Sequence, residues 1–547
     1  MEEARPAQAI GCLSPSLRIV IAHSLNRPSL TIAVALAALA CLAYLASARL
    51  AGGLGFPLDD AWIHQTYARS LATTGQWAYR PGQTSAGSTS PLWTTLLSLG
   101  YVLGLDFRLW TYLLGFLALA ATLGAVYHLG LHLFPQWPIV APLAALLAAG
   151  EWHLVWAAGS GMETLLFTAL SLLLLDAFLT SPPTPPLKEE RDATHSSLTG
   201  NPVPALRPAG WGSSFAIGIL GGLLTLTRPE GMVLLALVGG AGLLQRRNFR
   251  WLLALGLGFA LLIVPYLLFN RASGAGWLPN TFYAKQQEYA VLLAEPYPLR
   301  LARLIATTGV GPQVLLVPGF VWLAVRLGTP GTRGSLGSQE FLRVPAWLPL
   351  VWWLAFLALY AWRLPVTYQH GRYLIPSLPI LLLYGVAGTA ALIRPASPRL
   401  WPRLIGRTVI AATVILALVF LARGAWAYVV DVQIVNSEMV AAAEWLREHT
   451  PPDTLVAAHD IGAIGYYAQR PLIDLAGLVT PEVIPFMRDE ARLKAFIQAQ
   501  KAAYLVTFPG WYPQLIADPC FTPVYQSTAG WSPAAGGEHM VVYRTCW

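Results

Sequence analysis

PLWTTLLSLGYVLGL (91–105) is the stretch whose reading sets the topology of this chain. It is apolar but short, and it holds Ser98, Gly100 and Gly104. A helix needs about 20 apolar residues to cross the hydrocarbon core. We read 91–105 as an interfacial or re-entrant helix, not a span. Counted as a span, it would reverse the side of every later loop.

The surroundings of this stretch belong in a membrane. Hydrophobic residues make up 55% of the 547 and charged residues 11%, with mean hydropathy +0.53. Soluble proteins carry roughly 25% charged residues. Apolar runs long enough to span fall near 29–51, 107–131, 138–157, 162–180, 212–227, 230–245, 251–270, 304–325, 345–362, 373–393 and 408–429. Residues 1–28 are polar, with Arg5, Arg18 and Arg27 ahead of the first run. That run is too long for the core of a cleaved signal and no small-residue cleavage site follows, so it reads as an uncleaved anchor with the N-terminus inside.

Basic loops test this choice. With 91–105 interfacial, the cytoplasmic loops hold Lys188, Arg191 and Arg207, then Arg246, Arg247 and Arg250, then Arg326, Arg333 and Arg343, then Arg394, Arg399, Arg403 and Arg407. Positive loops stay inside, and nearly every loop with basic residues agrees. The same loops explain the net charge of +8. No basic helix or aromatic-basic array suits nucleic acid, so nucleic acid is not an expected partner.

The opposite face collects the residues with chemistry. The first segment there, 52–106, opens with LDDAWIH (58–64) and continues as an amphipathic helix. Ile63, Tyr67 and Leu71 share one face, Asp60 and His64 another. TSAGSTSPLW (84–93) follows. Later outer segments are GSGMET (159–164), LTRPEG (226–231), 270–303 with LPNTFYAK (278–285), and YQHGRY (368–373). The tail, 431–547, alternates strands at 454–458, 472–475 and 503–508 with helices at 437–448 and 490–500, which is the pattern of a small α/β domain.

Two carboxylates at a membrane boundary are costly unless solvated or used. Asp59 or Asp60 suits a helix N-cap, but only one of them can be that cap. Arg228, Lys285, His370 and Arg372 lie in three outer loops at similar depth. Single arginines there often snorkel or pair in loops. Together they fit an anion site, and a lipid phosphate lies at that level. Glu163 suits either a helix start or a site; His64 suits a polar face or a site; His459 and Asp460 end a strand, where α/β folds hold ligands. Cys520 and Cys546 can pair if the tail is extracytoplasmic. There is no metal motif, Walker loop or serine elbow.

The ordered set of outer Asp-Asp, an acidic residue opening a later span, TRPEG, NTFYAK, HGRY and HDIGAIGYYAQRPLIDLAGLV (459–479) resembles the GT-C superfamily of polyprenyl-phosphate-sugar glycosyltransferases. Within it the chain looks most like the group that includes the mycobacterial terminal arabinofuranosyltransferase. AGSTSPLW (86–93) departs from the charged string of related arabinosyl enzymes. The resemblance implies a polytopic α-helical membrane protein of GT-C type with about eleven spans (29–430) and a C-terminal extracytoplasmic α/β domain (431–547). It further implies a plasma-membrane enzyme moving a sugar, arabinofuranosyl or mannosyl among the candidates, from a polyprenyl-phosphate donor. The acceptor hydroxyl would sit on a glycan, glycolipid or protein, and no cofactor is expected. Asp59 or Asp60 would be the general base, with inversion; Arg228, Lys285, His370 and Arg372 would meet the donor phosphate. His64, Tyr67, Glu163, Glu230, Asn280, Tyr283, His459 and Asp460 would contact substrate. The rivals are a secondary transporter or lipid flippase, for which the sequence shows no repeat, and a non-catalytic envelope assembly factor.

Overall fold

A computed structural model describes residues 15–80, 82–181, 211–245, 247–274, 276–328, 344–393 and 395–547. Arg5, Arg18, Arg27, Lys188, Arg191, Arg207, Arg246, Arg333, Arg343 and Arg394, which carry part of the charge asymmetry, lie outside the described residues or side chains. So does Cys12.

Among the described residues, five helices are long and apolar enough to cross a membrane: Pro28–Ala51, Phe107–Leu133, Phe249–Ala272, Tyr368–Leu392 and Leu400–His449. Their starts follow local chemistry. Asp106 caps the second, its carboxylate accepting from the backbone N–H groups of Arg108 and Leu109 at 3.0 and 2.9 Å. Asn248 caps the third through Trp251 N–H at 2.9 Å. Each cap satisfies donors that a helix leaves unpaired. Shorter apolar helices fill four more of the expected runs: Thr164–Thr180, Trp211–Thr227, Gly231–Leu244 and Leu348–Arg363. Rows of leucine and valine stay exposed on the long helices, such as Leu257, Leu261, Val264 and Leu268. Lipid is the solvent that favours such a surface, and the molecule is a polytopic helical membrane protein.

Two runs expected as straight spans are broken. Val140–Ala149 and Trp152–Ala158 meet at 57°, and Tyr297–Thr308 and Pro312–Gly328 at 106°. At the second break Gly311 has φ 142° and precedes Pro312, and the residue before proline is driven out of the α region. The breaks abut. Trp152 Nε1 donates to Val310 O at 3.4 Å, and Gln313 Nε2 reaches the buried Glu151 at 3.5 Å. Residues 91–102 form a helix too short to span, with Leu99 and Val102 exposed.

The tail is not set apart at residue 431. Its first helix continues the last apolar one: Leu400–Val435 passes through a π-turn at Asn436–Val440 into Ala441–His449. Beyond it lies a five-stranded sheet. With β1 (Ala78–Arg80) and β2 (Gln83–Thr84) forming a small hairpin in the first loop, the sheet strands are β3 (Val456–Ala458), β4 (Leu472–Asp474), β5 (Tyr504–Thr507), β6 (Thr522–Gln526) and β7 (Val541–Arg544), in the order β4-β3-β5-β7-β6. β3 is parallel to β4 and β5; β7 is antiparallel to β5 and β6. Side chains alternate across the sheet. Val456, Ala458, Val506 and Val542 pack with Ile63, Tyr67 and Tyr79 of the first loop. Ala457, Leu505, Val541 and Tyr543 pack with Leu493 and Ile497 of the helix Glu490–Ala499. Cys520 and Cys546 are joined in a disulfide. The sheet thus clamps directly onto the segment that carries Asp59 and Asp60.

Candidate active site

The two aspartates divide. Asp59 opens the helix Asp60–Thr74 but makes no side-chain cap within it. Its carboxylate instead accepts Gly462 N–H and Ala463 N–H of the tail, both at 2.7 Å. Gly462 is required by that approach, because a Cβ there would lie 1.9 Å from Asp59 O. Burial pushes the Asp59 carboxyl up to about 6, against these two backbone donors. Both oxygens are committed, and Asp59 does not line the cavity that opens beside the helix Asp60–Thr74. In this arrangement it joins the first loop to the tail as a clasp.

Asp60 does line that cavity, of about 290 Å³. Arg372 Nη2 donates to Asp60 Oδ2 at 2.6 Å, and Lys285 Nζ stands 3.5 Å from the same oxygen. Burial works against the charge, but Lys285 and Arg372 outweigh it and hold the Asp60 carboxyl well below the usual carboxylate range. His64, one turn on, also faces the cavity. Its Nδ1 meets Thr94 Oγ1 at 3.2 Å and its Nε2 lies 3.6 Å from Glu163. Burial lowers its proton affinity more than Glu163 and Asp60 raise it, so the ring is neutral.

The cations come from three separate elements. Arg228 sits in the turn before Gly231–Leu244, 3.7 Å from Glu163 and 3.8 Å from Glu230, and donates to Tyr360 OH at 2.7 Å. Tyr360 in turn donates to Glu230. Lys285 projects from the helix Asn280–Glu288, docked by Thr281 on Gly87 O and by Asn280 N–H on Ala86 O. Arg372 follows three residues in left-handed backbone, Gln369, His370 and Gly371 (φ 53°, 59° and 63°). Such a conformation costs a non-glycine residue about 1 kcal/mol or more and persists only when its surroundings enforce it. Arg228 and Arg372 flank one ring, Tyr373, at 5.3 and 4.9 Å from its centroid. Most telling, Arg372 Nε and Nη1 are buried without an acceptor. Such orphans are rare and costly.

Around the cavity four cationic side chains (Arg228, Lys285, Arg363 and Arg372) face three carboxylates (Asp60, Glu163 and Glu230). Its remaining wall is largely apolar, with Ile63, Met232, Phe282, Leu359 and Trp362. One excess positive charge beside an apolar wall suits an anionic amphiphile.

Several expected contacts fall elsewhere. His370 does not line the cavity: it sits in the left-handed turn, and its Nε2 meets Asp431 Oδ2 at 2.8 Å, an oxygen shared with Trp156 Nε1. Tyr67 is wholly buried, bonded to Ser85 Oγ at 2.6 Å and to Gly87 N–H at 3.0 Å; it shapes loop 84–93 and does not line this cavity. Asn280 starts its helix and Tyr283 points to the surface near Leu278, neither lining the cavity. Asp460 lies beside the cavity, Oδ2 buried and unpartnered; burial and the charges of Asp59 and Asp60 hold its carboxyl well above the usual range. His459 lines a second cavity. Tyr360, Tyr373 and Arg363 were not anticipated. Tyr373 was legible beside Arg372, whereas Tyr360 meets Arg228 across 132 positions with no local signal. Among the described residues no cluster of three or more His, Cys, Asp or Glu forms a metal site.

A family profile described as "Domain of unknown function (DUF8728)" matches residues 427–543. No curated protein matches by sequence. Among solved structures, ArnT from Cupriavidus metallidurans bound to undecaprenyl phosphate aligns with TM-score 0.54 and 16% identity over 93% of this chain and 97% of that one. The oligosaccharyltransferase AglB from Archaeoglobus fulgidus, in complex with an inhibitory peptide and a dolichol-phosphate, aligns with TM-score 0.50 and 13% identity over 94% and 74%. The mycobacterial arabinofuranosyltransferase AftD aligns at TM-score 0.44, 15% identity, over 95% and 40%, and the expected arabinosyl grouping gains no argument from it. What these likenesses establish, at such identities, is architecture: the chain shares the fold of ArnT and AglB.

Proposed function

We propose that this chain is a membrane glycosyltransferase that moves a sugar from a polyprenyl phosphate to an acceptor hydroxyl. The observation that carries the reading is the pair of buried, unpartnered Arg372 N–H groups in a cavity walled by apolar side chains. A lipid-linked phosphate supplies the missing acceptors and fills the apolar wall. ArnT and AglB were solved with such phosphates, which supports the same ligand here.

Asp60 is the proposed base. In the empty site it pairs with Arg372 and Lys285. A bound phosphate competes for both cations, which loosens their hold on Asp60 and raises its basicity toward what proton transfer needs. The acceptor oxygen then attacks the anomeric carbon while its proton passes to Asp60. The bond from that carbon to the phosphate oxygen breaks, and the electron pair leaves on polyprenyl phosphate. Arg372, Lys285 and Arg228 stabilise the charge that grows there. Attack opposite the leaving group inverts the anomeric centre. Neutral His64, held by Thr94, adds polar contact to the sugar.

In this reading all eleven apolar runs cross the plasma membrane, the N-terminus is inside, and both cavity and sheet are extracytoplasmic. Arabinofuranose and mannose are the first donors to try. The transporter reading has one feature in its favour, the two broken helices. Their junction at Glu151 and Gln313 lines neither cavity. The test is the purified chain with a panel of polyprenyl-phosphate sugars: release of polyprenyl phosphate with an inverted product supports the reading, and turnover of none of them refutes it.

A further inference from the structure

A second cavity, of about 390 Å³, opens where the sheet meets the helix Asn280–Glu288. Its place follows from strand order. In β4-β3-β5 the chain leaves β3 for β4 on one side and then crosses to β5 on the other. The carboxyl ends of β3 and β5 therefore flank a topological switch point, where open α/β sheets bind ligands. His459 follows β3 and Trp511 follows β5, and both line this cavity. The volume lies in the ~300–1,000 Å³ range of small-molecule sites.

The lining has the chemistry of sugar recognition. Trp511 is 44% exposed and Tyr368 46%, large areas to leave uncovered beside a cavity. Tyr368 pairs with Tyr289 at 5.6 Å, and Trp511 stands edge-on to His459 at 4.3 Å. Flat rings present electron-rich faces to the C–H groups of a sugar ring. Glu288 and Arg488 line the same cavity, an acceptor and a fork of donors for hydroxyls. Burial opposes the Glu288 charge, but Lys285 and His459 outweigh it and keep the carboxylate ionised.

The two cavities share a wall. Lys285 faces the first, and Glu288, one turn on, faces the second. Displacement with inversion needs the acceptor to arrive opposite the departing phosphate, so it needs a second entrance. We infer that the second cavity is a saccharide site, which holds the acceptor sugar with Trp511 and Tyr368 as stacking platforms and Glu288 and Arg488 on its hydroxyls. The word acceptor rests on the transfer reaction proposed above; the word saccharide does not.

The test is ligand-observed saturation-transfer NMR on the purified full chain, without donor. The probes are methyl gluco-, manno- and galactopyranosides and methyl arabinofuranoside. We expect at least one to receive saturation from the unaltered chain. Trp511→Ala and Tyr368→Ala should each weaken its binding about tenfold, as expected for loss of about 1.4 kcal/mol of ring contact. Arg228→Ala, in the other cavity, should leave it intact. Signal that survives both aromatic substitutions, signal lost with Arg228→Ala, or no signal from any glycoside overturns the assignment. Failure of the transferase reading looks different: a glycoside would bind in a Trp511-dependent way while no polyprenyl-phosphate sugar is turned over.

Discussion

Replacing Arg372 by alanine removes the two guanidinium nitrogens, Nε and Nη1, that have no acceptor, together with the one that holds Asp60 at 2.6 Å. A hydrogen bond to a charged group contributes about 1.5–3 kcal/mol. Two aimed at one phosphate sum to roughly 3–6 kcal/mol. Arg228 and Lys285 remain, and water enters the emptied space, so about half of that loss should appear. The expected cost is about 2 kcal/mol, or roughly 30-fold in affinity. The assay is titration of a short polyprenyl phosphate into nanodisc-embedded protein, with thermal unfolding to confirm an intact fold. Arg372→Lys restores the charge but not the fork, and should recover only part of the affinity. A folded Arg372→Ala that binds within twofold of the unaltered protein would refute the phosphate role.

Other expectations follow from the same geometry. Asp60 is held below its ordinary value, so its ionised form and the stability it brings persist above the unfolded value of about 3.9 and fade only as pH falls through the lower folded value. The acid limb of kcat/KM that belongs to Asp60 should thus lie below about pH 4, and Arg372→Ala should move it upward; a limb unmoved by that change contradicts the pairing. Asp59→Asn keeps an acceptor for one tail amide and should retain activity within about tenfold, whereas Asp60→Asn should lose at least 100-fold, in line with removal of a general base; equal losses would undo the division of the pair. Gly462→Ala drives a Cβ into Asp59 and should destabilise the clasp by about 1–3 kcal/mol, read as a lower Tm and faster proteolysis of the tail. An unchanged Tm would mean the clasp yields without cost.

Much of the fold was legible because lipid imposes length. Runs near 20 residues marked the helices, and the shortness of 91–105 matches the 12-residue helix Pro91–Val102 found there. The three parallel strands of the tail were legible from short apolar runs. β6 and β7 were not: β6 is largely exposed with Pro523 inside it, and β7 is completed only by pairing with β5 and β6. Breaks at Gly150 and Gly311 escaped because hydropathy averages over a window and does not sense direction. In the site, Asp60, His64, Glu163, Arg228, Glu230, Lys285 and Arg372 were legible as ionisable groups at one depth, which is a property of the chain. Their neighbours were misjudged where backbone direction decides. Asp59 points to the tail because its peptide abuts Gly462, and His370 points to Asp431 because the backbone turns left-handed. No spacing rule carries that information.

The most direct measurement is single-turnover transfer by the unaltered protein and Asp60→Asn, each loaded with the same polyprenyl-phosphate sugar and mixed with acceptor. We expect both to bind the donor, since Arg228, Lys285 and Arg372 remain, and only the unaltered protein to release polyprenyl phosphate at a catalysed rate. Equal release by both would contradict Asp60 as the base. Failure of the unaltered protein to turn over any donor it binds would contradict glycosyl transfer itself.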